Sequence, residues 1–224
     1  MATSRGQRAH VLLDDETRVT LGVASRLRYP ASLNSGPRHV YLNGEAYFEV
    51  SRRSGQPFTV HGGRTITRVL GTKFGVRAYS TDVNVEVVVA EGSVEFLPSI
   101  TPSQRDVQHA RPFFGGKVLT KGDVGRATAG GAVTLIRNAD PAEYLSWTTG
   151  QLVFRDQPFA QAARQISRAY DVDMRIESQA LAARRINGRF REQPLADLLE
   201  ALSLALDSDY RRTGRTVTFF ARTR

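Results

Sequence analysis

The C-terminal third of this chain repeats itself, and that repeat limits its fold more than any other feature. Phe154-Arg-Asp-Gln-Pro-Phe-Ala160 returns as Phe190-Arg-Glu-Gln-Pro-Leu-Ala196. At the same offset Ile166-Ser167 faces Leu202-Ser203, Ala169 faces Ala205, and Asp171 faces Asp207. Asp173 and Arg175 likewise face Asp209 and Arg211. Roughly ten of 23 paired positions are identical at one constant offset, a self-similarity that marks a repeated supersecondary unit. In each copy a short strand is followed by a proline, which suits the first turn of a helix. Phe159, Ala162, Ala163, Ile166 and Tyr170 then recur at helical spacing, as do Leu195, Leu198, Leu199, Leu202 and Leu206. Val172–Ile176 and Ser208–Arg212 read as the closing strands, and Thr216–Phe220 completes a terminal hairpin across Thr213-Gly-Arg215. Two β-α-β units of this size make a compact α+β domain. Two copies are too few for a solenoid, so they are predicted to pack face to face, with Phe154, Phe190, Tyr210 and Phe219 on the sheet side of the core.

The residues before Ala142 have a different period. Arg18–Leu21, His39–Leu42, Tyr47–Val50, Phe58–Val60 and Thr65–Leu70 alternate polar with apolar. Lys73–Tyr79, Val83–Val89 and Gly92–Leu97 continue the series. These runs are rich in Val, Thr, Tyr and Phe, as strands are. Asn43-Gly44, Gly62-Gly63 and Glu91-Gly92 read as hairpin turns. Ser99–Gly116, with Pro102 and Pro112, reads as a surface loop. Lys117–Val124 and Ala132–Ile136 read as further strands, and Asn138-Ala-Asp-Pro141 as the boundary. The prediction is a disordered leader over 1–9, an all-β domain over 10–140 and the α+β domain over 141–224. For the first domain a sandwich and a solenoid-like stack of antiparallel strands fit equally well.

Composition excludes more than it assigns. The 224 residues include no cysteine, which removes disulfides, thiol nucleophiles and Cys-based metal sites. His10, His39, His61 and His109 form no H-x-x-x-H or H-E-x-x-H spacing, so no zinc site is expected. No G-x-S-x-G elbow occurs, and Gly115-Gly116-Lys117 is followed by Val118, so a phosphate-binding loop fails too. Glu45 and Glu49 fall on one strand face. With Arg38, Arg52 and Arg53 nearby they read as a solvated face and not as an acid/base pair. We therefore expect no enzyme, no cofactor and no metal. The net charge of +9 could serve nucleic acid, an anionic surface or an acidic protein. The basic residues are spread along the chain and the aromatics sit on apolar strand faces, which argues against nucleic acid. A carbohydrate-binding module would need exposed aromatics on one sheet face, and Tyr41, Tyr47, Tyr79 and Trp147 are the residues to test. The first residues lack an apolar segment, so they do not read as a signal peptide.

Several of these segments together resemble a known family. Leu42-Asn-Gly-Glu-Ala-Tyr-Phe-Glu-Val50, Gln56-Pro-Phe-Thr-Val60, Val69-Leu-Gly-Thr-Lys-Phe-Gly-Val-Arg77 and Val89-Ala-Glu-Gly-Ser-Val-Glu95 resemble, in order, the motifs of FecR-type proteins. Gly75 stands where that family usually has Asn. The repeat resembles the STN module, named for the N-termini of secretins and TonB-dependent transporters, which follows the β domain in such regulators. The resemblance implies a single-pass inner-membrane regulator whose cytoplasmic segment binds an extracytoplasmic-function sigma factor. Its periplasmic part would receive a signal from the N-terminal signalling domain of an outer-membrane TonB-dependent transporter, commonly one for iron chelates. This chain would be the periplasmic part, with the sigma-binding segment and the membrane helix outside it. A partner-binding surface is then expected at the basic strands of the repeat, at Arg184, Arg185, Asn187, Arg189, Arg191, Arg211 and Arg212.

Overall fold

A computed structural model describes residues 1–98, 116–128, 130–191 and 193–222. The chain divides into two units, Met1–Thr3 with Arg8–Leu145, and Ser4–Gln7 with Ser146–Arg224. The division falls at Leu145/Ser146, a few residues past the expected turn cluster. The leader expected over 1–9 is part of the fold. Ala2 bridges to Arg26, and the Gly6 N–H donates to the Arg168 carbonyl at 2.8 Å. The loop expected over 99–116 lies outside the described residues except for Gly116.

The first unit is built from strands β1 (Ala9–Leu12), β2 (Arg18–Leu21), β3 (Arg26–Arg28), β4 (Arg38–Glu49), β5 (Phe58–Gly62) and β6 (Thr65–Val69). They are followed by β7 (Lys73–Ala78), β8 (Asn84–Glu91), β9 (Ser93–Pro98), β10 (Lys117–Thr120), β11 (Val124–Thr128) and β12 (Val133–Ile136). The hydrogen-bonded path runs β10-β9-β6-β5-β4-β7-β8-β11-β12, with β3 and the β1-β2 pair also joined to β4. The sheet is folded over at β4 and comes close to a barrel. The first half of β4 pairs with β3 and β5, and the second half with β2 and β7. We call these the A half and the B half. Between them Val40, Val60 and Phe96 from one half meet Phe48, Phe74 and Val87 from the other in one buried cluster.

This architecture corrects the sequence reading at three places. Asn43-Gly44 makes no hairpin: it lies inside the twelve-residue β4, which bends there from one half to the other. Glu91-Gly92 makes no hairpin either, because β8 pairs in the B half and β9 in the A half. The chain turns between halves at Gly92, where φ is +86°. The strands are not all antiparallel, since β4 and β5 run parallel. A parallel connection needs a dozen residues or more. Here the second half of β4 and residues 50–57 supply that length, and the chain re-enters the A half at the end where β4 began. Gly62-Gly63 does open the β5–β6 hairpin.

A short helix, α1 (Pro141–Leu145), covers the outer face of the B half. Its Leu145 side chain fills the space over Gly75. A Cβ at Gly75 would meet Leu145 Cδ2 at 2.6 Å and Val88 Cγ1 at 3.1 Å. The glycine that departs from the motif is thus a socket for this leucine. Replacing it by the family's residue, Gly75→Asn, should unseat Leu145 at a cost of about 1–2 kcal/mol. Amide exchange over 141–145 should quicken roughly tenfold while the sheet stays protected. Unchanged exchange there would show that Leu145 is not held by this socket.

The second unit contains β13 (Leu152–Pro158), α2 (Phe159–Tyr170), β14 (Asp173–Ile176), α3 (Gln179–Ala183), β15 (Arg185–Phe190), α4 (Leu195–Ala205), β16 (Ser208–Thr213) and β17 (Thr216–Ala221), after a 3-10 turn at Ser146–Thr149. The opening strands of the two copies pair with each other, β13 with β15. The closing strands share a second sheet of order β14-β17-β16. Gln157-Pro158 ends β13 and does not begin the helix. Pro158 and Pro194 both occupy the N-cap position, with extended ψ. The expected helical faces are the buried ones: Phe159, Ala162 and Ile166 from α2, and Leu198, Leu199 and Leu202 from α4. Phe154 packs on Phe190, and Phe219 on both Phe159 and Tyr210.

Candidate partner-binding surfaces

The alternation along β15 fixes which of its side chains face outward. Ile186 is buried, whereas Arg185, Asn187 and Arg189 are exposed on the opposite face. Among the described residues neither the outer edge of β15 nor that of β16 is paired with another strand. The seven residues expected to form one surface are not all brought together. Arg185, Asn187 and Arg189 share a strand face, and Arg191 follows just beyond the strand end. Arg184 is directed away, donating to the Leu206 carbonyl at the end of α4. Arg211 and Arg212 lie on β16 in the other sheet, and as strand neighbours they point to opposite faces.

The charge on β15 is partly answered within the unit. Arg185 Nε reaches Asp156 Oδ1 at 2.7 Å. Asp156 sits at an irregularity in the β13–β15 pairing with φ of +41°. The hydrogen bond from Arg185 pulls the Asp156 carboxyl below its ordinary value. With both groups exposed, such a pair contributes little to stability, so it leaves Arg185 available for exchange onto a partner carboxylate.

The first unit brings together residues that are far apart in sequence. His39 on β4 and His61 on β5 approach to 3.4 Å between Nδ1 and Nε2. Tyr41 stacks on His61 with ring centroids 4.7 Å apart. Burial lowers both imidazoles below the ordinary histidine value, and the Arg68 charge adds to this. Spacing could not reveal this group, because it depends on the parallel register of β4 and β5. Glu45 and Glu49 do share a face of β4, as expected, but they face cations. Arg77 stands 4.0 Å from Glu45, and Lys73 is the register partner of Glu49. Burial works against the Arg77 charge, but Glu45 and Asp82 outweigh it and hold the guanidinium above its ordinary value. Arg38 is not on a solvated face at all; it is buried against Asp15.

Among the described residues no group of three or more His, Asp or Glu is placed to hold a metal ion, and no helix is long and apolar enough to cross a membrane. The four aromatics named for a carbohydrate platform are dispersed. Tyr41 lies on the outer face of the A half and Tyr47 on that of the B half. Tyr79 is buried with its hydroxyl on the Val23 carbonyl, and Trp147 belongs to the 3-10 turn.

Comparison with known proteins bears on the fold and the family. The solved structure of a candidate anti-sigma factor from Parabacteroides distasonis superposes with a TM-score of 0.87 at 24% identity, covering 100% of this chain and 99% of that one. A second structure under the same description, at 2.50 Å, gives the same score and identity over 98% of its chain. These establish a shared fold. No curated protein matches the sequence. The family model described as FecR protein matches residues 1–95, and the one described as FecR, C-terminal, matches residues 151–219. This chain belongs to the FecR family of regulators.

Proposed function

We propose that this chain is the periplasmic, non-enzymatic signal-receiving part of an anti-sigma regulator. It binds the N-terminal signalling domain of an outer-membrane TonB-dependent transporter, with iron-chelate uptake as the physiological setting. An extracytoplasmic-function sigma factor is engaged by a segment outside this chain. The observation that carries the reading is the open, basic β15 strand within the repeat-built unit matched as FecR, C-terminal. Such an edge accepts a partner strand through main-chain hydrogen bonds, and alternate side chains set selectivity. Arg185, Arg189 and Arg191 steer an acidic partner and raise the association rate more than the affinity.

The test is calorimetric titration of the chain with the isolated signalling domain of a transporter encoded beside it. One-to-one binding at micromolar affinity or better is expected. Charge reversal at Arg189 and Arg191 should weaken it about tenfold and flatten its salt dependence. Binding that ignores both substitutions removes β15 from the interface. Absence of binding, with tight salt-sensitive binding to DNA instead, overturns the reading.

A further inference from the structure

The outer face of the A half carries two registered rows of side chains. One runs Arg28, Tyr41, His61, Ile66, Leu97 across β3, β4, β5, β6 and β9. The other runs His39, Thr59, Arg68, Glu95, Val118 across β4, β5, β6, β9 and β10. At one end the planar groups form a ladder. The Arg28 guanidinium lies 5.7 Å from the Tyr41 ring centre, and His61 stands 4.7 Å from Tyr41 and 5.2 Å from His39. These spacings follow the strand separation of about 4.8 Å, so polar edges are presented to solvent at regular intervals. At the other end Ile66 and Leu97 are half-buried and Val118 is 59% exposed.

Among the described residues the charge on this face is predominantly positive. Arg26, Arg28 and Arg68 stand against a single acid, Glu95, which is buried and held by Arg68 at 2.9 Å. Arg26 and Arg28 make no ion pair among the described residues. We propose that this face is a second docking surface, separate from β15, which takes an acidic and apolar segment of another protein. Carboxylates seat on the Arg28–His39–His61 end and apolar side chains on Ile66, Leu97 and Val118.

Charge argues against a metal ion and against a second copy of this chain. Two imidazoles among three arginines suit an anion and not a metal cation. A second copy of a chain with net charge +9 is repelled from a basic face. A bilayer is disfavoured because Ile66 and Leu97 are half-buried, which leaves little exposed apolar surface to insert. The histidines make the surface responsive to pH. The charged and titratable groups facing them are Arg26 and Arg28 on β3, Tyr41 on β4, Arg68 on β6 and Glu95 on β9. A bound carboxylate favours the imidazolium forms, so binding takes up protons and tightens as pH falls.

The full chain is titrated, with anisotropy as readout, against a fluorescein-labelled peptide that is glutamate-rich in its first half and leucine- and alanine-rich in its second. Micromolar binding is expected, tightening about threefold or more from pH 8 to pH 6. Arg28→Glu should weaken it about tenfold. His39→Gln with His61→Gln should abolish the pH dependence and keep the pH 8 affinity. Arg189→Glu with Arg191→Glu should change nothing. Three results overturn the proposal. They are equal weakening by the Arg28 and Arg189/Arg191 variants, equal binding of a glutamine-substituted peptide, and Arg28-dependent binding to phosphatidylglycerol vesicles in place of the peptide.

Discussion

Replacing Asp15 by alanine should destabilise the first unit by about 3–5 kcal/mol, since it strips the counter-charge from a fully buried arginine. The side chains of Asp15 and Arg38 are both 0% exposed. Arg38 Nε and Nη2 reach Asp15 Oδ2 at 2.8 and 2.6 Å. The remaining donors are also used. Nη1 donates to the Gln56 carbonyl at 3.1 Å and Nη2 to the Ser51 carbonyl at 3.0 Å, with the guanidinium over the Phe58 ring at 5.3 Å. Asp15 in turn accepts from the Thr17 N–H and hydroxyl. Without Asp15 the guanidinium keeps its carbonyl partners but loses its one opposite charge among the described residues. Those carbonyls belong to the 50–57 connection that carries the chain from β4 back to the parallel β5, so the group also ties down this parallel crossover. The double substitution Asp15→Leu with Arg38→Met removes the charge and should recover part of the loss. It should stay below wild type, because Ser51 and Gln56 are left without donors. Urea unfolding followed by a probe confined to the first unit measures this, since two units need not unfold together. A loss under about 1 kcal/mol for Asp15→Ala would mean that water reaches the pair and that it is not the anchor of the crossover.

What the sequence disclosed divides along a physical line. Local periodicity survived. The helices of the repeat were legible because Leu198, Leu199 and Leu202, like Phe159, Ala162 and Ile166, recur with the period of a helix face, and the same residues are buried. The outward set on β15 was legible for the same reason, since alternation puts Arg185, Asn187 and Arg189 opposite Ile186. Register and connectivity were not legible. An Asn-Gly pair between alternating segments is a strong hairpin signal. At Asn43-Gly44 it was overridden because both flanks of β4 find partners in different halves of the sheet. The His39–His61 pair, the Arg38–Asp15 pair and the Leu145 socket each join residues whose proximity depends on strand pairing or on the docking of an element. The five-residue helices α1 and α3 were missed because so short a run carries no period. For α3 the local cue is the N-cap Ser178, whose side chain accepts from the Leu181 N–H.

Gly44 is the position where that override becomes measurable, and Gly44→Ala should cost about 3–5 kcal/mol from two sources. Its φ of +127° lies where side chains carry a strain of about 1–3 kcal/mol. A Cβ there would also stand 2.2 Å from Ser25 Oγ, 2.5 Å from its Cβ and 2.6 Å from its Cα, an overlap that adds about 1–3 kcal/mol. Ser25 cannot move aside. Its Oγ accepts the Glu45 N–H at 2.9 Å and donates to the Val23 carbonyl at 3.0 Å, and its N–H donates to Thr3 Oγ1 at 3.0 Å. The corner between β2 and β3 and the bend in β4 therefore lock each other, and relief requires that one of them open. Adding Ser25→Gly to Gly44→Ala removes the two nearest atoms and should restore about half of the loss. The overlap with the backbone of residue 25 and the φ strain remain. Because Ser25→Gly also removes the Oγ that accepts the Glu45 N–H, the double variant is compared with Ser25→Gly alone: a cost of Gly44→Ala that shrinks in that background identifies overlap, and an unchanged one identifies backbone strain. If Gly44→Ala alone unfolds at the wild-type denaturant concentration, β4 does not bend at Gly44.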